Sequence, residues 1–143
     1  MFEDFVTHSF RRYQPGYGVS AQSRQAHLAE IDGQKAFLMQ PDILLQEKKG
    51  EGAKFILDAK WKDLDTSSDA PKYGIDQADL YQLYAYAKGY GCKAVALVYP
   101  QTEKFKTQLE YLILDDSTLL CLPFDVENPK ESVHRSMEAL RAA

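Results

Sequence analysis

The chain has 143 residues and a formal net charge of −4, so it is long enough for one domain with its own hydrophobic core. Hydrophobic residues make up 45% of it and aromatic residues 12%, a composition that excludes an intrinsically disordered chain. The mild negative charge argues against a protein that coats nucleic acid through bulk charge, but it leaves room for a local basic groove.

Several classes of site and location are excluded by the absence of their patterns. The two cysteines and three histidines have no metal-ligand spacing, and no P-loop or GxSxG motif is present. The first residues, MFEDFV, are acidic and too short in apolar length for the pattern of a signal peptide, and no apolar run of about 18 residues is present. We therefore expect a cytoplasmic protein with reduced thiols, no membrane span and no nucleotide-binding loop of its own.

The first third of the chain predicts a helix followed by a loop and a strand. Apolar residues at helical spacing predict a helix over residues 2–13, with Glu3 beside its apolar face. The Pro, Gly and Ser content of residues 14–24 predicts a loop. Residues 26–32 have the pattern of a short strand that turns into the next apolar run.

The chain is organised around residues 37–62, which predict two apolar strands joined by a polar turn. The strands are predicted at 37–47, where Pro41 interrupts the run, and at 55–62. Residues 48–54 contain two glycines and predict the turn between them. The residues that do not fit this apolar pattern are charged, and they are the candidates for a functional site.

These charged residues are Asp42 in the first strand and Asp58 and Lys60 in the second. Side chains alternate along a strand, so Asp58 and Lys60 lie on one face. Asp42 joins them if it pairs opposite Asp58 or Lys60, but not if it pairs opposite Ala59; the sequence does not fix this register. We assume the register that brings the three together.

Two ionised carboxylates side by side repel each other, and a divalent cation removes that penalty. Oxygen ligands on a small cation suit Mg²⁺, with Mn²⁺ as a substitute, and a neighbouring lysine can steer or deprotonate a water and offset charge on a phosphate. The alternative is that Asp42 starts a strand while Asp58 and Lys60 form a solvated ion pair. Three charges within two apolar strands favour the catalytic interpretation.

The most clearly patterned helix is predicted at residues 76–90, with Asp76 as its N-cap. Gln77 and Tyr81 lie one turn apart near its start, where backbone N–H groups favour anions. Taken alone, the pattern favours a surface glutamine and a half-buried tyrosine. The residues predicted to face the core are Leu80, Leu83, Tyr84 and Ala87.

The remaining segments complete the predicted fold. Residues 63–73 are polar and predict a long loop, either a plain connector or a segment that closes on substrate. The apolar run 94–99 predicts a strand buried on both faces. Further strands are predicted at 108–114 and 118–123, with an amphipathic helix at 130–142. This order of elements predicts an α/β domain with a mixed sheet flanked by helices.

The sequence also resembles a known family. Pro41-Asp42 followed by Asp58-Ala59-Lys60 resembles the PD…(D/E)xK signature of restriction-endonuclease-like nucleases, and the QADLY sequence at 77–81 resembles the QxxxY element of their RecB-like branch. LDAKWK followed by YGIDQADLYQLYAYAKGYG is similar to the McrC nuclease subunit of modified-cytosine-dependent restriction systems.

The resemblance implies a restriction-endonuclease-like fold over residues 1–143 and a Mg²⁺-dependent DNA endonuclease of a McrBC-like restriction system. In it Lys60 would act on the attacking water, and Gln77 and Tyr81 would position the site and the DNA backbone. The implied metal ligands are Glu3, Asp42, Asp58 and the carbonyl of Ala59. The implied DNA contacts are Lys60, Lys62, Gln77 and Tyr81.

Proteins of this family carry an upstream region that docks a McrB-type AAA+ GTPase, whereas this chain begins at the nuclease helix. We therefore expect either the C-terminal domain of a longer McrC-like chain or a shortened relative, with DNA as its partner and homo-oligomers allowed. Two other functions remain open. One is an inactive nuclease-fold subunit for DNA binding or assembly, and the other is a nuclease for RNA or DNA ends.

Overall fold

The computed structural model describes residues 1–21, 26–48, 54–67, 73–92, 94–113 and 117–143. For residues 26–28 and 36–39 it describes the backbone only. These residues form three helices and eight strands. In chain order they are α1 (Phe2–Tyr13), β1 (Tyr17–Ala21), β2 (Ala26–Ile31), β3 (Gln34–Met39), β4 (Ile43–Glu47), β5 (Lys54–Ala59), α2 (Gln77–Tyr90), β6 (Ala94–Pro100), β7 (Leu109–Leu112), β8 (Thr118–Phe124) and α3 (Pro129–Ala142).

Six strands form one mixed sheet in the order β1-β4-β5-β6-β8-β7. The three central strands β5, β6 and β8 run parallel, while β1, β4 and β7 pair antiparallel to their neighbours. Strands β2 and β3 form a separate two-stranded sheet. The predicted α/β fold with a mixed sheet flanked by helices is therefore confirmed.

The sheet is covered on both faces. On β5, Phe55 and Leu57 pack with α1 and α3, whereas Ile56 packs with α2. Every residue of β6 is buried, as predicted for a strand covered on both sides. Within the described residues, no helix combines the length and the apolarity that a membrane crossing requires.

The three helices agree with their predicted positions. Helix α1 has the predicted bounds, and α2 is capped by Asp76, whose carboxylate accepts a hydrogen bond from the Ala78 N–H at 2.8 Å. Helix α2 ends at Gly91, which adopts the left-handed conformation that glycine favours (φ 68°). Its buried face differs in part, because Tyr84 is exposed and Tyr86 is buried.

Three strand predictions were wrong. Residues 14–24 were predicted as a loop but contain β1, an edge strand whose partly exposed residues lack a clear apolar alternation. Residues 37–47 were predicted as one strand but divide at Pro41 into β3 and β4, which belong to different sheets. Strand β5 ends at Ala59, so the predicted continuation to residue 62 lies outside it. Residues 49–53 of the predicted turn lie outside the described part of the chain.

Candidate active site

The two aspartates predicted to meet do so at the carboxyl end of β5. Ile43 pairs with Leu57, which places Asp42 opposite Asp58 and confirms the assumed register. The Asp42 N–H donates a hydrogen bond to Asp58 Oδ1 at 3.0 Å, and the Ala59 N–H donates to Asp42 Oδ2 at 3.1 Å. Each carboxylate is thus held by the backbone of the opposite chain segment.

Burial and mutual repulsion make it unfavourable for both carboxylates of this pair to be ionised at once. Burial, together with the charges of Asp58 and Glu3, raises the pKa of Asp42 to about 7, although the Ala59 N–H and Lys60 act in the opposite direction. Burial also raises the pKa of Asp58, which is only 2% exposed. Glu3 of α1 is half-buried and its charge raises the pKa of both aspartates, but among the described residues the three carboxylates do not form a metal-binding group.

Lys60 lies between two carboxylates that come from different elements. Its Nζ is 3.8 Å from Asp58 Oδ2 and 3.4 Å from Asp79 Oδ1 in the first turn of α2. Burial lowers the pKa of Lys60, but Asp58 and Asp79 together outweigh burial and raise it above its usual value. Lys60 is therefore an ammonium at neutral pH. Asp79 was not predicted as a site residue, because an acidic residue in a first helical turn is already explained by the helix dipole.

Tyr86 is a second residue that the sequence analysis missed. Its hydroxyl donates a hydrogen bond to the Gln40 carbonyl oxygen at 3.3 Å, two residues before Asp42. Burial raises the pKa of Tyr86, and so do the charges of Asp58 and Asp42, which places the ring close to the carboxylate pair. The four-residue Gln–Tyr spacing recurs on α2 as Gln82 and Tyr86, and this second match was the available signal.

Gln77 and Tyr81, the Gln–Tyr pair singled out from the sequence, lie on the exposed surface of α2. The Gln77 side-chain amide donates a hydrogen bond to the Tyr81 hydroxyl, and Tyr81 is 62% exposed. The structure therefore pairs these two side chains with each other. Lys62 is also exposed, and its N–H donates to the Lys60 carbonyl oxygen at 3.0 Å in a tight turn after β5. The roles of all three in DNA binding stay predictions.

The carboxylate pair fits a small cation with few protein ligands. One oxygen of each carboxylate accepts a backbone hydrogen bond, so the oxygens that could reach a metal ion are Asp42 Oδ1 and Asp58 Oδ2, the second of which also faces the Lys60 ammonium. Across the described residues, no three His, Cys, Asp or Glu side chains are arranged as a complete metal cage. Mg²⁺ retains several waters and uses one or two carboxylates, so the pair suits it better than an ion that needs a full protein cage.

Comparison with known proteins places the chain in a family. Residues 1–100 match the family described as McrBC 5-methylcytosine restriction system component. No curated protein matches the chain.

The fold is similar to that of a chain in a solved half-complex of a tetradecameric assembly of Thermococcus gammatolerans McrB AAA+ hexamers with bound McrC. The TM-score is 0.70 at 15% sequence identity, over 96% of this chain and 32% of that chain. This protein thus spans about a third of the solved chain that it matches. Because the family match covers well over half of its residues, the chain belongs to the McrBC 5-methylcytosine restriction system component family.

Proposed function

We propose that this chain is a Mg²⁺-dependent endonuclease domain of a McrBC-like restriction system and that it hydrolyses phosphodiester bonds in DNA. The observation that carries the proposal is the reciprocal pair of backbone hydrogen bonds that holds Asp42 and Asp58 side by side. Lys60 adds a cation on the same face. Family membership supports the restriction system, and the charged cluster supports the hydrolytic part within it.

The residues that would hold Mg²⁺ are Asp42 and Asp58, with Glu3 and the Ala59 carbonyl as the further ligands that the resemblance implies. Bound Mg²⁺ would neutralise the carboxylates, polarise a phosphate and lower the pKa of a water. The raised pKa supports this assignment, because a half-buried carboxylate with a pKa of about 7 is ionised more easily when a cation lies beside it.

The chain's own residues contribute orientation and charge. The backbone N–H groups of Asp42 and Ala59 fix the directions of the two carboxylates. The Lys60 side chain is 28% exposed, so its ammonium could reach both a water and a phosphate oxygen. Lys60 would orient or deprotonate the attacking water and offset negative charge on the attacked phosphate. Tyr86 steadies the segment that precedes Asp42.

We further propose that the chain works with a McrB-type AAA+ GTPase. The proposal is supported by the family description and by the similarity to a chain from an assembly that contains McrB AAA+ hexamers and McrC. The similar chain is about three times as long as this one. The regions of that chain outside the matched third are available to contact other subunits of its assembly.

The proposal is tested by cleavage of supercoiled plasmid in Mg²⁺, with and without a McrB-type partner and GTP. The wild type should nick or linearise the plasmid, and Asp58→Asn should abolish cleavage with the fold intact by circular dichroism. Asp32→Asn, in the turn between β2 and β3, is the matched control and should cleave at the wild-type rate. Cleavage by Asp58→Asn at the wild-type rate would reject the assignment. Cutting of linear DNA or RNA alone would instead indicate an end-dependent enzyme or a ribonuclease.

One observation favours the alternative of an inactive subunit for DNA binding or assembly. The described residues form no complete cage of three acidic, histidine or cysteine ligands. Titration with Mn²⁺, followed by calorimetry, separates the two functions. Millimolar or tighter binding that is lost in Asp42→Asn supports the enzyme, whereas no binding at millimolar metal supports the inactive subunit.

A further inference from the structure

The Lys60 side chain has two anchors, and the shorter contact is to a residue outside the proposed metal site. Lys60 Nζ is 3.4 Å from Asp79 Oδ1, compared with 3.8 Å from Asp58 Oδ2. Both Lys60 and Asp79 are partly buried, with side chains 28% and 23% exposed. An ion pair of this kind is screened less by solvent than one on the open surface.

We propose that Asp79 is a positioning residue that holds the Lys60 ammonium beside the reacting phosphate, an inference that rests on the proposed nuclease function. Asp79 touches neither carboxylate of the pair by any described hydrogen bond. It acts on the reaction through Lys60.

A cation at the carboxylates makes this second anchor necessary. In the structure Asp58 attracts Lys60. A divalent cation bound by Asp58 would neutralise that carboxylate and repel the ammonium, since both carry positive charge. Asp79 lies on a different element, so its attraction for Lys60 would persist. The Asp79 contact is therefore the one that keeps Lys60 in place when the site is loaded.

The fold makes Asp79 a rigid anchor. It lies in the first turn of α2, whose N-terminus is capped by Asp76 and favours negative charge. Leu83 and Ala87, on the buried face of the same helix, fix α2 against the sheet. The Lys60 side chain is long and leaves the sheet just after the last residue of β5, so without a partner it has many rotamers.

The test compares Asp79→Ala, Asp79→Asn and Asp76→Asn in single-turnover plasmid cleavage, with the partner present if the wild type requires it. Asp79→Ala should lower the cleavage rate about 10- to 100-fold while Mn²⁺ affinity and DNA affinity change less than about 2-fold, because only a positioned group has moved. Asp79→Asn retains an oxygen acceptor for the ammonium but loses the negative charge, so it should recover only a small part of the lost rate. Asp76→Asn removes one acidic charge from the same helix end, remains a good cap and should match the wild type.

Two results would overturn the inference alone. One is Asp79→Ala cleaving at the wild-type rate while Asp58→Asn is inactive, and the other is Asp79→Asn cleaving at the wild-type rate. Loss of Mn²⁺ affinity in Asp79→Ala would also overturn it, since Asp79 would then support the metal ligands. A wild type that cleaves no nucleic acid with Mg²⁺ and the partner would overturn the proposed function, and this inference with it.

Discussion

The raised pKa of Asp42 predicts how the stability of the protein depends on pH, which can be measured without a cleavage assay. A carboxyl group whose pKa is raised in the folded state binds its proton more tightly there than in the unfolded chain. Its contribution to stability is fully present below the unfolded pKa of 3.8 and is lost as the pH rises through the folded pKa of about 7. Metal-free wild type should therefore lose stability between pH 4 and pH 8, and Asp42→Asn should lack this part of the loss.

The magnitude follows from the size of the shift. A displacement from 3.8 to about 7 corresponds to roughly 4 kcal/mol if the whole shift is expressed in the free energy of unfolding. Asp42 is only half-buried, so solvent screening reduces this to about 2 kcal/mol. Asp42→Asn should match the wild type near pH 4 and exceed its stability by about 2 kcal/mol near pH 8.

The assay is urea unfolding of both proteins from pH 4 to pH 8.5 in chelator, repeated in 10-fold steps of Mg²⁺. The side-chain amide oxygen in the Asp42→Asn variant can still accept the hydrogen bond from the Ala59 N–H, so the substitution removes the charge with little change in shape. Added Mg²⁺ should stabilise the wild type near pH 8 and leave Asp42→Asn almost unchanged. If the free energies of unfolding of the two proteins in chelator change with pH in the same way, the reasoning is refuted. Ionisation of Asp42 would then cost the folded state nothing.

Three further substitutions test separate parts of the site. Tyr86→Phe removes the hydrogen bond to the Gln40 carbonyl oxygen and should lower both the free energy of unfolding in urea, by about 1 kcal/mol, and the cleavage rate. Unchanged stability and cleavage would contradict the role of Tyr86 at the site. Tyr81→Ala, at an exposed position, should change stability by less than about 0.5 kcal/mol and weaken DNA binding in a gel-shift assay; unaltered affinity would remove Tyr81 from the DNA-contact set. Lys60→Ala should slow cleavage about 10²- to 10³-fold with the metal affinity retained, and a wild-type rate would exclude Lys60 from the reaction.

The part of the site that the sequence could predict is the part governed by strand alternation. Asp58 and Lys60 are two residues apart, so their shared face follows from the pleat, and the only open choice was the register with Asp42. In the structure Ile43 pairs with Leu57, and this register places Asp42 opposite Asp58.

The part that could not be predicted depends on how α2 is placed against the sheet. Asp79 and Tyr86 both lie on that helix, and a segment of more than ten residues separates it from β5. Helical periodicity fixes which residues share a face, but it does not fix which face meets the carboxylates. The same limit explains why Tyr84 was expected in the core in place of Tyr86.

The central claim is that Asp42 and Asp58 hold a divalent cation together, and its most direct test is a crystal structure after soaking in Mn²⁺. The account predicts an anomalous peak within bonding distance, roughly 2.0–2.2 Å, of one oxygen from each carboxylate. A peak elsewhere on the protein, or none at millimolar Mn²⁺ with both carboxylates ordered, would contradict it.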